Sequence, residues 1–153
     1  MTFEKFISGF KVIEPLSNFQ IIEKCEELKI KNFTGVFMRD ELNNKKANKN
    51  ECMILNIDHS KNEGTHWTSL FIKNNIGYYF DSYGFPPTEE VKKYCTNLIY
   101  SSSFKIQDYN EVICGHFCVY ILYKLSKQHK LDEKIFHDIC MDLKIEKLKN
   151  LKT

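Results

Sequence analysis

The chain has a single arginine, Arg39, a single tryptophan, Trp67, and no long apolar run. No stretch approaches the ~20 apolar residues that a bilayer-crossing helix needs, so no helical membrane span is expected. The longest uncharged run in the C-terminal half, Val112 to Tyr123, is too short and holds a histidine. The start, Met1-Thr2-Phe3-Glu4-Lys5-Phe6, has neither a basic n-region nor an apolar h-region, so no signal peptide is expected. Both absences point to a soluble, intracellular protein. Neither an internal repeat nor a low-complexity block is present. The shortage of arginine beside many lysines, with abundant Asn and Ile, is what AT-rich coding gives, and carries nothing about mechanism. Net charge is +2, which points to no class of partner.

What is there suits one domain spanning 1–153, since domains commonly run to roughly 100–150 residues. Hydrophobic residues make up 42% and aromatics 14%, enough for a sizeable core. The six cysteines, Cys25, Cys52, Cys95, Cys114, Cys118 and Cys140, are expected to be reduced, because a chain this long without a secretion signal needs no staples.

Ser17-Asn18-Phe19-Gln20 has the form of a capping box and predicts a helix to about Leu28. The polar run 43–50 reads as an exposed loop. The centre reads as strands: Cys52 to Ile57, His66 to Ile72 and Ile76 to Asp81, the last two joined by the short connection Lys73-Asn74-Asn75. Pro86-Pro87-Thr88 predicts a helix start, with Glu89 and Glu90 at its positive end. Phe104 to Gln107 is a candidate strand. An apolar helix is expected from Cys114 to about Lys127, and an amphipathic one from Asp132 to Leu148. Helices at both ends of a central, mostly antiparallel sheet make an α+β fold.

Several residues could do chemistry together. A thiol peptidase needs a thiolate, a base, an orienter for the base and donors for an oxyanion. Cys114 falls at the N-terminus of the most apolar helix, where the macrodipole lowers a thiol pKa, and Gly115 beside it leaves room for a substrate backbone. Taken alone, a structural cysteine is the commoner role for such a residue. His66 opens a strand and Asp81 ends the next one, so a hairpin makes them neighbours. Singly, each has a bland reading, as a satisfied histidine and a turn residue. Gln107, seven residues before Cys114, could bring its amide to the thiol, or be an ordinary polar loop residue. Cys114 and Cys118 share a helix face, but no second pair has the spacing of a zinc site, so no metal is expected.

In this order the residues resemble the adenovirus maturation proteases. More distantly they resemble the SUMO-specific proteases and related enzymes of virophages, polintons and large DNA viruses. The stretches that carry the resemblance are Gly64-Thr65-His66-Trp67, Tyr79 through Phe85, and Gln107 through Cys118, which holds the pattern Gln107-x-x-Asn110-x-x-x-Cys114-Gly115. Gly35 through Leu42 also looks like the family's Asp-Glu-Leu groove motif. The resemblance covers roughly 33–123. It implies a papain-like, adenain-type cysteine protease core, with His66 as base, Asp81 as orienter, Gln107 as oxyanion donor and Cys114 as nucleophile. Trp67 and Asp40 are implied as groove residues. The adenovirus enzymes have Glu where Asp81 stands, although the SUMO proteases have Asp. The chain is shorter than the adenovirus enzymes, so their peptide activator and DNA cofactor are not carried over.

The expected function is a cysteine endopeptidase that cleaves next to Gly, in the manner of a viral or virophage maturation protease acting on capsid precursors. It would work without a cofactor, in the host cytoplasm or viral factory and packaged in the virion. A deconjugase of SUMO or another ubiquitin-like protein is the alternative enzyme, and a catalytically inactive binding module the non-enzyme one. Trp67 is expected to reach across the cleft, with Asp40 near its other side. Lys144, Lys147, Lys149 and Lys152 could touch nucleic acid but read more simply as a solvated helix face.

Overall fold

The computed structural model describes residues 1–61, 66–108 and 112–151, apart from the side chains of 149–151. Five strands form one sheet in the order β1 to β5: β1 Phe33–Met38, β2 Glu51–Asn56, β3 Trp67–Lys73, β4 Ile76–Phe80 and β5 Ile99–Ser101. The central pairings, β2 with β3 and β3 with β4, are antiparallel, and the two edge pairings are parallel. Helices α1 Phe3–Ser8, α2 Asn18–Glu27, α3 Glu89–Tyr94, α4 Cys114–Ser126 and α5 Glu133–Leu151 flank it, giving an α+β fold.

The sheet is covered on both faces, which is why β2 is buried at every position. Cys52, Ile54, Phe71, Tyr78 and Phe80 face one core, shared with Phe3 and Phe6 of α1, Ile21 and Cys25 of α2, the apolar side chains of α4, and Phe136 and Cys140 of α5. The alternate residues Met53, Leu55, Leu70, Ile72 and Tyr79 face a second core with Leu42, Val91 and Tyr94. Period-two alternation thus sorts each strand between two layers.

Local chemistry explains the boundaries. The expected capping box is formed: Ser17 Oγ accepts from the Gln20 N–H, and Gln20 Oε1 from the Ser17 N–H. Thr88 caps α3, accepting from the Val91 N–H. The β3–β4 connection turns on Asn74 and Asn75, both at positive φ as a two-residue hairpin turn requires. Four elements were not anticipated from the sequence: α1, β1, β5 and a 3-10 helix over Arg39–Asn44. The candidate strand Phe104–Gln107 does not form; that segment is irregular, and the edge strand is Ile99–Ser101 instead. Its amides bond to a turn rather than to a ladder, as described next.

Candidate active site

The β3–β4 hairpin builds the first half of the site. Its register pairs Ser69 with Phe80 at the open end, so His66, just before β3, and Asp81, just after β4, come together there. His66 Nε2 lies 2.7 Å from Asp81 Oδ1, with both residues almost fully buried. The same oxygen accepts from the Tyr83 N–H at 2.8 Å, and Ser102 Oγ accepts from the Asp81 N–H at 3.2 Å. The carboxylate is therefore fixed from its own turn, and the Asp81 backbone by Ser102 just after β5.

Helix α4 supplies the second half. Cys114 is its first residue, and no side chain caps that end. The first helical N–H groups thus remain available for negative charge. Burial works to raise the Cys114 pKa, but His66 and the nearby N–H groups of Trp67 and Gly115 together bring it below the ordinary value. The other five thiols are buried: burial pushes Cys25 and Cys95 up to about 12, and Cys52, Cys118 and Cys140 upward as well. One thiol of six is acidified.

His66 is its counterpart. Burial works to lower its pKa, yet the bond to Asp81 and the nearby Cys114 thiol outweigh this and carry it to about 9. Nδ1 has no hydrogen-bond partner, and Cys114 is the titratable group that acts on the ring besides Asp81. Such contacts commonly tighten only when substrate is bound. A lowered thiol pKa and a raised imidazole pKa are the directions that ion pairing between the two groups would give.

Gln107 joins through the turn after Asp81. Ser82 O accepts from the N–H groups of Ile106 and Gln107 at 2.8 and 2.9 Å, and Ser82 Oγ donates to Gln107 Oε1 at 2.6 Å. Gln107 is fully buried. Fixing its amide oxygen on Ser82 assigns the other end of the amide as the donor. The segment is also held from behind, since Lys147 Nζ donates to Ile106 O at 2.8 Å. Lys147 is thus buried rather than part of a solvated face, and Lys144 lies over the Phe104 ring. The side chain of Lys149 and the whole of Lys152 lie outside the described residues.

The two groove candidates, Trp67 and Asp40, have different surroundings. Trp67 donates its indole N–H to Leu16 O at 3.1 Å and lies over Gly115, where a Cβ would meet Leu16 Cβ and Trp67 Cδ1, each at 3.3 Å. The space above Gly115 is therefore filled by the chain's own side chains. Asp40 instead accepts from the N–H and Oγ of Ser60, both at 2.7 Å, which hold its carboxyl below the usual range. Tyr83 was not anticipated as a site residue: its ring stacks on His66 with centroids 3.9 Å apart and planes 8° from parallel. Gly64, Thr65 and Asn110 of the motifs lie outside the described residues. Among the described residues, no group of three or more His, Cys, Asp or Glu could hold a metal ion, and no helix is long and apolar enough to cross a membrane.

No family model matches the chain, and no curated protein matches it significantly. Solved structures do. The crystal structure of the ASFV pS273R protease superposes with a TM-score of 0.60 at 16% identity, covering 81% of this chain and 61% of that one. The selenomethionine form of the same protease gives a TM-score of 0.56 at 15% identity, covering 81% and 62%. The chain has the fold of that protease. The chain spans about three-fifths of the protease's length.

Proposed function

We propose that the chain is a cysteine endopeptidase with Cys114 as nucleophile, His66 as acid and base, Asp81 as orienter and Gln107 as oxyanion donor. The observation that carries this reading is the pairing of the one acidified thiol with one basic imidazole, whose far nitrogen is 2.7 Å from a buried carboxylate. The Cys114 thiolate attacks the peptide carbonyl carbon, and the carbonyl electrons move to oxygen. The Gln107 amide and the Cys114 N–H stabilise that oxyanion. Collapse breaks the C–N bond, the His66 proton going to the leaving amine. His66 then takes a proton from water, whose oxygen attacks the thioester, and the C–S bond breaks to release the acid and restore the pair.

The substrate is a precursor protein cut with Gly immediately before the scissile bond or one residue earlier, in the manner of viral maturation of a capsid precursor. Supporting this is the crowding of the thiol: Trp67 and Leu16 sit over Gly115 on one side, and Tyr83 covers His66. Glycine has no side chain to meet such walls and tolerates the backbone angles of close approach. The test is a peptide-library digest read by mass spectrometry, with Cys114→Ala as control. Cuts clustering after or one residue beyond Gly, and absent from Cys114→Ala, support the proposal. No turnover of any peptide would favour an inactive binding module. Cleavage confined to the C-terminal tails of ubiquitin-like proteins would favour a deconjugase.

A further inference from the structure

The turn after β4 holds a residue that acts on both halves of the His66–Asp81 pair. The β3–β4 register, continued past Ser69 and Phe80, runs His66 opposite Tyr83, which explains why their rings meet. The Tyr83 N–H donates to Asp81 Oδ1, the oxygen that also holds His66 Nε2. Its ring meanwhile lies flat on the imidazole at 3.9 Å and 8°. One residue therefore fixes the carboxylate through its backbone and the imidazole plane through its side chain.

We propose that Tyr83 is a positioning residue for the catalytic histidine, whose aromatic face holds the His66 ring against rotation and stabilises its protonated form. This inference rests on the peptidase reading of the site. An electron-rich ring face attracts a cation placed over it, most strongly where water is excluded. His66 is nearly buried, so the contact is made away from solvent. Rotation of the imidazole would separate Nε2 from Asp81 and turn Nδ1 away from the thiol. A flat neighbour in contact resists that rotation, whereas a hydrogen bond at one end alone would permit tilting. The other titratable groups acting on the ring, among the described residues, are Asp81 after β4 and Cys114 at the start of α4. Both favour its protonated form, so the tyrosine adds to an existing preference.

The test separates the ring's electronic effect from simple cover. Tyr83→Leu keeps carbon over the imidazole but removes the aromatic face, while Tyr83→Phe keeps both. Each is compared with the unaltered full chain by NMR titration of the five histidines, His66 being assigned from His66→Gln. Tyr83→Leu should lower the His66 titration midpoint by about half to one pH unit, a loss of roughly 3- to 10-fold in imidazolium preference. Tyr83→Phe should leave it unchanged. A midpoint in Tyr83→Leu equal to that of the unaltered chain would overturn the inference, as would an equal shift in Tyr83→Phe. Should Tyr83→Leu fail to fold, Tyr83→Met replaces it under the same criteria. The unaltered chain is also treated with limiting iodoacetamide: if Cys114 is not its fastest thiol, the peptidase reading fails and this inference with it. Cys114 labelled first, with no midpoint shift in Tyr83→Leu, defeats the inference alone.

Discussion

Gly84 is the point where one methyl group should damage both the fold and the site. Its φ is +81°, and a Cβ there would lie 2.7 Å from the carbonyl carbon of Phe104 and 2.9 Å from the Lys105 nitrogen. Alanine in the left-handed region costs roughly 1–2 kcal/mol. The obstacle is backbone rather than a side chain that can swing away, so overpacking adds about 1–3 kcal/mol. Gly84→Ala should therefore lose about 2–5 kcal/mol, and a chain of this size loses roughly 2–4 °C in Tm per kcal/mol. The displaced segment leads directly to Ile106 and Gln107, whose amides bond to Ser82 O. A shift of about 1 Å in the Gln107 amide can cost ~10²-fold in rate. Thermal melts and steady-state turnover of the still-folded fraction read both effects. A variant with unchanged Tm and unchanged kcat would refute the claim that the turn and the 104–107 segment are pressed together.

Three further outcomes are expected. Ser82→Ala removes the hydroxyl that donates to the buried Gln107 Oε1, so urea titration should register a loss of about 1–3 kcal/mol and kcat should fall more than KM changes. The folded His66 pKa, about 9, lies above the ordinary 6.5, so its contribution to stability is complete below pH ~6.5 and is lost as the pH rises through about 9. Cys114, depressed, works in the opposite direction, its contribution disappearing as the pH falls. The stability gap between the unaltered chain and His66→Gln, from urea titrations across that range, should accordingly close between pH 6.5 and 9. His116 is buried with no hydrogen-bond partner on either ring nitrogen and an edge contact to Phe10, and burial lowers its pKa to about 4. Between pH 6.5 and 4 the unfolded chain takes a proton that the folded one refuses, so His116→Phe should raise Tm, and by more at pH 5 than at pH 7.

The hairpin was legible because its turn is local. Lys73-Asn74-Asn75 fixes a short connection, and antiparallel pairing then places His66 beside Asp81 without knowledge of anything else. Helix α4 was legible from its apolar composition, and α2 from its capping box. The failures lie where order comes from distant partners. Phe104–Gln107 looks like a strand by composition, yet Ser82, Gly84 and Lys147, none of them near it in sequence, hold it as an irregular segment. β1 carries Gly35 at positive φ beside a register shift, which blurs its period-two pattern. Leu16 meets Trp67 across 51 positions, so the wall over Gly115 could not be anticipated. Tyr83 was hidden for another reason: the register that stacks it on His66 continues past the last paired residues, into a stretch that reads as a turn.

In the proposed peptidase, His66 holds Cys114 as a thiolate. The direct measurement is peptide mapping by mass spectrometry after a stoichiometric dose of iodoacetamide at pH 6, where an ordinary thiol with a pKa of about 8.5 is ionised well below 1%. Cys114 should carry nearly all of the label, and His66→Ala should remove that selectivity. Label spread over several cysteines, or Cys114 unreactive while Cys118 is modified, would rule out this thiolate.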